Sequence, residues 1–290
     1  MSAGIVGHKK PFVADSRDYL WSEFRKPLAA KGLLPTTIPP FGWGHGNTYQ
    51  DWQMLGNGPD PTAPGKAKNG VGCCVWSSAA NETKIALTDS GLYVPAAASG
   101  LFNGATTVSD YSADTGYNPT TGEHDEGTEI RQSLKYRQQT GIVDTKGNRH
   151  KIGAYVLLDP GNAQHMLEAL YFFEGIPVGQ VVTEAQMAQF NEAEAAGRVP
   201  VWDYVKGSPE AGGHCTPQVG RPDAEHVASV TWRLRIFMTK AYIAHQVDEA
   251  WAYVTPERIS KVTGKSYEHA SPAQLEEYLH LTAKEAAIAA

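Results

Sequence analysis

Cys74 stands where a loop turns into a helix. The preceding stretch, residues 57–70, is Asn-Gly-Pro-Asp-Pro-Thr-Ala-Pro-Gly-Lys-Ala-Lys-Asn-Gly, a loop by its Gly, Pro and Asn content. The stretch from Cys73 to Leu87 holds small residues and neither Gly nor Pro, which suits a buried helix. Unpaired N–H groups at a helix N-terminus favour a thiolate, the form in which cysteine is a nucleophile. A thiolate nucleophile also needs a histidine to take its proton. His214 is the best placed: Gly212 and Gly213 precede it and let the backbone approach closely, and Cys215, Thr216, Pro217 and Val219 follow as a strand. His124, His150 and His165 lack such a setting. His214 lies 140 residues beyond Cys74, inside the window of roughly 130 to 150 known for a Cys–His pair of this kind.

Blander readings stand beside this one. A cysteine at a helix start is often a small buried hydrophobe. Cys73 is a rival nucleophile, because adjacent helical residues point about 100° apart and only one of them faces a given cleft. Cys73-Cys74 with His214-Cys215 also offers zinc-type ligands, but adjacent ligands fit poorly around one ion, so no metal or other cofactor is expected. Cys73 or Cys215 paired with the nucleophile in a reversible disulfide would be a redox control.

The order of motifs resembles the papain-like cysteine peptidase superfamily, most nearly the papain-like proteins of tailed bacteriophages. The matching pieces are Asp51-Trp52-Gln53-Met54-Leu55-Gly56-Asn57, Gly72-Cys73-Cys74 with Ala79-Ala80, Gly212-Gly213-His214, Thr231-Trp232 and Asp248-Glu249-Ala250-Trp251. The resemblance implies an α+β fold of two lobes. A helical left lobe would carry Cys74 on its central helix, and a twisted antiparallel sheet would carry His214. It makes Cys74 the nucleophile, His214 the base and Asn57 or Asn69 the side-chain donor to the oxyanion, with Trp76, Gly213 and Trp232 on the cleft wall. The family's tryptophan about eighteen residues beyond the histidine is met by Trp232. Two positions depart from the pattern: the asparagine that orients the imidazole falls at Val230, and the glycine after the tryptophan is Arg233. The orienting oxygen is then expected from Asp223, Glu225, Glu249 or a backbone carbonyl.

The implied activity is hydrolysis of an amide bond in a peptide or protein by a phage-encoded enzyme. Alternatives are a peptidoglycan endopeptidase or amidase, and a virion or assembly protein that keeps the fold with a degenerate site. Expected partners are the substrate and other virion proteins docked through the N-terminal arm. The expected place is the cytoplasm of the producing cell or a phage particle.

The elements that must position these residues divide the chain into an arm (residues 1–48), a papain-like domain (49–264) and a C-terminal helix (265–290). The arm is rich in Pro and Gly, with a short helix near 18–24, and suits an inhibitory pro-segment or a docking arm. Residues 101–126, rich in Gly, Asn, Thr and Asp, read as a connection, followed by a helix over 128–139. Strands are expected at 152–158, 176–182, 215–219, 227–237 and 250–254, with a helix over 162–173. Thr183 with Gln186, and Ser271 with Gln274, form capping boxes that open two further helices. Helices early and strands late, without βαβ alternation, favour α+β.

Composition is consistent with a folded domain: 41% hydrophobic and 19% charged residues in 290. The net charge of −6 and the thin spread of 25 Lys and Arg provide no basic stripe, which argues against nucleic acid. No run of about eighteen apolar residues is present to span a bilayer, and no signal-type segment is visible at the N-terminus. Three cysteines make no disulfide framework, as in a reducing compartment.

Overall fold

The computed structural model describes residues 9–30, 32, 34, 37–42, 70–89, 100–173 and 175–255. Helix α1 (Trp21–Ala30) packs on the sheet side, and the helical side is carried by α2 (Cys74–Asp89), α3 (Gly104–Thr115) and α4 (Ile130–Gln139), with a small antiparallel pair, β2 (Ile142–Val143) and β3 (Arg149–His150). Helix α2 is central. It packs against α3 and α4 on one flank and against the sheet on the other. Its first turn starts from the Cys73 carbonyl, which accepts the N–H groups of Trp76 and Ser77, both at 2.9 Å. Nearly every residue of α2 is buried, so its polar side chains must be satisfied inside the protein. Ser78 accordingly donates to Glu82 at 2.6 Å and Thr83 to the Ala79 carbonyl at 2.9 Å.

The sheet side begins with β1 (Phe41–Gly42) and continues through β4 (Tyr155–Leu158), β5 (Ile176–Thr183), β6 (Val201–Trp202), β7 (Glu210–Arg221), β8 (His226–Thr231), β9 (Leu234–Thr239) and β10 (Val247–Tyr253). Their order is β4-β10-β5-β7-β8-β9-β6, with β1 beside β7. The pairings are antiparallel apart from β6 with β9. Helices α5 (Ala163–Phe173), α6 (Glu184–Ala195) and α7 (Lys240–Gln246) cover the sheet. Met166, Leu170 and Phe173 of α5 join Trp21 and Phe24 of α1 in its main core. Burying such side chains is worth about 1.5–3 kcal/mol each. The architecture is α+β, as expected from the run of elements.

Several elements differ from their sequence reading. The connection at 101–126 contains helix α3. Its Asn and Thr residues are caps: Asn103 accepts the Thr106 N–H at 3.0 Å, and the Thr106 hydroxyl accepts the Asn103 N–H at 3.1 Å. Gly116, at φ 80°, ends the helix in a left-handed conformation open to glycine. The arm helix lies later and is longer than 18–24, spanning Trp21–Ala30 with Pro27 inside. The stretch 227–237 is two strands, turned by Trp232 (φ 44°) and Arg233 (φ 65°) between the paired residues Thr231 and Leu234. The capping box at Thr183 is present, its N–H donating to Gln186 Oε1 at 3.0 Å. The expected C-terminal helix with Ser271, and the loop at 57–69, lie outside the described residues.

Candidate active site

Helix α2 and strand β7 meet at a cavity of about 10 Å³, room for roughly one water molecule. Cys74, at the start of α2, and His214, on β7, both line it. So do Ser78 and Asn81, four and seven residues along α2, and Thr231 and Trp232, where β8 turns into β9. Positions 74, 78 and 81 share one face of a helix, so α2 presents a polar stripe to the cavity. Cys74 is 2% exposed and His214 1% exposed, so the pair is closed off from solvent in this form.

Two contacts set the imidazole. Its Nε2 is 2.8 Å from the Thr231 hydroxyl. The Trp232 ring stacks on it, centroids 4.9 Å apart at 24°. Trp232 is in turn wedged edge-on by Phe190 at 4.9 Å and by Trp202 at 5.7 Å. The turn that aims Trp232 holds two non-glycine residues in left-handed conformations, which cost of order 1–3 kcal/mol each. The aromatic packing and the 2.5 Å ion pair from Arg233 to Glu194 oppose that cost.

Thr231 therefore takes the place expected of Asp223, Glu225, Glu249 or a carbonyl. Asp223 pairs with His226 at 2.9 Å on the surface, and Glu225 with Lys240 at 3.0 Å. Glu249 accepts from the Trp251 indole at 2.7 Å and pairs with Lys9 at 3.2 Å. Val230 lines the cavity, and its apolar side chain packs with Ile85, Val219 and Ala228.

The three thiols differ. Burial pushes the Cys74 thiol up to about 11, opposed by the N–H groups of Cys215 and Val75 and by the Lys9 charge. Burial raises Cys73 further, and raises Cys215 well above the ordinary thiol range. Cys73 turns away from the cavity into the helical core with Trp76, Tyr111 and Leu101, its sulfur 3.8 Å from the Ser77 hydroxyl. That geometry favours Cys74 as the reactive member of the pair. Trp76 also departs from its expected position on the cleft wall. Its indole donates to Thr128 at 3.2 Å and packs edge-on against Tyr136 at 5.1 Å, inside the helical core. Asn57 and Asn69 lie outside the described residues. Among the described residues, no group of three or more His, Cys, Asp or Glu is arranged to hold a metal ion, and no helix is long and apolar enough to cross a membrane.

The N-terminal arm crosses beside this site. Lys9 N–H donates to the Gly213 carbonyl at 3.3 Å, and Lys10 N–H to the Thr128 carbonyl, just ahead of α4, at 3.2 Å. Gly213 is shaped for this crossing, since a Cβ there would fall 2.5 Å from the Lys9 carbonyl oxygen. Further along, Arg131 of α4 grips Asp18 at 2.8 and 2.5 Å and the Val13 carbonyl at 2.7 Å. Sequence reasoning missed Thr231, Asn81 and Lys9. The helical spacing from Cys74 to Asn81 was a usable signal; no local signal marks the other two.

The chain matches no family model and no curated protein sequence. Its fold is similar to those of solved papain-like cysteine proteases. One is xylellain, a cysteine protease from Xylella fastidiosa, at TM-score 0.56 and 14% identity over 88% of this chain and 98% of that one. Another is procathepsin B S9 from Trypanosoma congolense, at TM-score 0.55 and 11% identity over 87% of each chain. The protein has a papain-like fold.

Proposed function

We infer that this protein is a cysteine-dependent hydrolase of peptide or protein amide bonds, with Cys74 as nucleophile and His214 as base. The observation that carries the reading is the shared cavity: a helix-start cysteine and a strand histidine, 140 residues apart in the chain, line it together, with the imidazole clamped between Thr231 and Trp232. His214 takes the Cys74 proton and the sulfur attacks the carbonyl carbon. The Cys74 backbone N–H and an amide from Asn57 or Asn69 hold the oxyanion. His214 then gives its proton to the leaving amine, and water hydrolyses the thioester. The closed cavity and high Cys74 pKa describe a resting form, so turnover requires the site to open.

Cleavage of a cell-wall peptide would use the same pair. Support for a phage-encoded protein carried in a virion, with the arm of residues 1–48 docking on other virion proteins, comes from the motif order over residues 49–254. A second reading, a scaffold with a degenerate site, is favoured by the burial of Cys74 and by Val230 and Arg233 in place of the family's residues.

Alkylation by iodoacetamide separates the readings. Cys74 is expected to react before Cys73 and Cys215, because its thiol is the least raised of the three and, unlike that of Cys73, lies at the cavity, which Cys215 also lines. Its rate should climb about tenfold per pH unit from neutrality and level off near pH 11. Equal slow labelling of all three, together with no hydrolysis of protein or cell-wall peptide that Cys74→Ala abolishes, leaves the scaffold.

A further inference from the structure

One charged side chain of the arm runs deep into the protein beside the candidate pair. The Lys9 side chain is 1% exposed. Its ammonium lies 2.9 and 2.8 Å from the two Asp248 oxygens and 3.2 Å from Glu249 Oε2, both residues on β10. The passage is moulded to the aminobutyl stem. Gly179 of β5 forms one wall, where a Cβ would sit 2.4 Å from Lys9 Cε and 2.9 Å from Nζ. At the mouth, the extended backbone of Lys9 and Lys10 is held by the Gly213 and Thr128 carbonyls, one from each side of the site.

Two carboxylates line the floor of this pocket and suit a cation. Glu249 is 3% exposed at its side chain, and burial raises its pKa while the Lys9 charge lowers it. If Lys9 withdraws, a buried carboxylate and its neighbour Asp248 lose their contact ion pair, an unfavourable state for buried charge. An occupant of like chemistry relieves it.

Resting on the hydrolase reading, we propose that this pocket recognises a lysine side chain of an extended peptide, and that the arm's Lys9 occupies it as a competing internal ligand. The carbonyls of Gly213 and Thr128 offer the incoming backbone the same two acceptors that Lys9 and Lys10 use. Because Gly213 precedes His214, a lysine seated here places its chain next to the reacting pair.

The test is binding to full-length Lys9→Ala, measured with Nα-acetyl-lysine methylamide and its norleucine counterpart, which differ in the ammonium. The lysine compound is expected to raise the melting temperature of the variant saturably by several degrees, with little effect on the parent chain, whose pocket is filled. Equal stabilisation by the norleucine compound, or none by either, overturns the proposal. If Lys9→Ala does not fold unaided, the two compounds are compared for the yield of refolded protein, with the same outcomes decisive. A second variant, Asp248→Asn, at a side chain 40% exposed, is expected to speed hydrogen exchange of the Lys10 amide about tenfold, and unchanged exchange also overturns the proposal. Repeating the binding in the Lys9→Ala, Cys74→Ala double variant separates the two claims: retained lysine selectivity without any hydrolysis by the parent sinks the hydrolase reading alone, whereas lost selectivity sinks the pocket.

Discussion

Thr231 holds the ring of His214 through a neutral hydroxyl, and that changes what the partner can do. A carboxylate orients the imidazole and also stabilises the imidazolium; replacing one can cost about 10⁴-fold. A hydroxyl orients the ring but carries no charge, and it both donates and accepts, so either tautomer satisfies it. Accepting from Nε2–H leaves Nδ1 as the basic nitrogen. Thr231→Val, which keeps the shape and removes the oxygen, is therefore expected to lower kcat/KM on a peptide substrate by about 10–100-fold. Thr231→Ser should stay within about threefold. Equal activity of Val and Thr at this position would mean that Trp232 stacking alone orients the ring.

Helix α3 shows how cap chemistry makes an element out of a stretch that reads as a loop. Asn and Thr compete with helical hydrogen bonds in a helix interior, yet at the first turn they satisfy N–H groups that have no helical partner. Asn103 and Thr106 do this reciprocally, and the helix buries Thr107, Asp110 and Tyr111 against its neighbours. Asp110 then receives Arg149 at 2.5 Å and the Val143 N–H at 2.7 Å, tying α3 to the β2–β3 pair. Asn103→Ala is expected to cost about 1 kcal/mol, a fall of roughly 2–4 °C in melting temperature for a chain of this size. No shift in thermal melting would mean that tertiary contacts, rather than the cap, decide whether α3 forms.

Across the whole molecule, the helical side and the sheet are joined by a buried polar cluster. Glu82 on α2 receives Arg137 of α4 at 3.0 Å and the Tyr253 hydroxyl of β10, and Arg137 also donates to that hydroxyl at 2.9 Å. The guanidinium lies over the Tyr253 ring at 4.4 Å. Breaking one partner of a buried pair leaves a charge without its counter-ion, whereas replacing both with apolar groups removes the desolvation cost as well. Arg137→Met is expected to destabilise by about 3–5 kcal/mol, a large share of the stability of an ordinary domain. Adding Glu82→Leu to it should restore most of the loss in denaturant unfolding. Additive losses in the double variant would show that packing volume, not charge, dominates there. The same cluster keeps α2 seated on the sheet, and so keeps Cys74 at the cavity that His214 lines.

Features decided within a turn or two of chain were legible in the sequence. The loop-to-helix change at Cys74, the glycines before His214, the capping box at Thr183 and the α+β order of elements all depend on local propensity and periodicity. The distance from Cys74 to His214 and the place of Trp232 were readable through the motif order of the papain-like superfamily. What the tertiary structure decided are meetings between residues far apart in the chain. Thr231 reaches His214 because the two-residue turn at Trp232-Arg233 sets the β8–β9 register, and that register carries no signature in residue type. Cys73 and Cys74 are indistinguishable as letters; the rotation of α2 between two packed surfaces sends one to the helical core and the other to the cavity. Lys9 looked like one more basic residue in an arm. Its burial follows from a glycine at 179 and two acids at 248 and 249, brought to one pocket by two strands, β5 and β10, that are neighbours in the sheet but far apart in sequence.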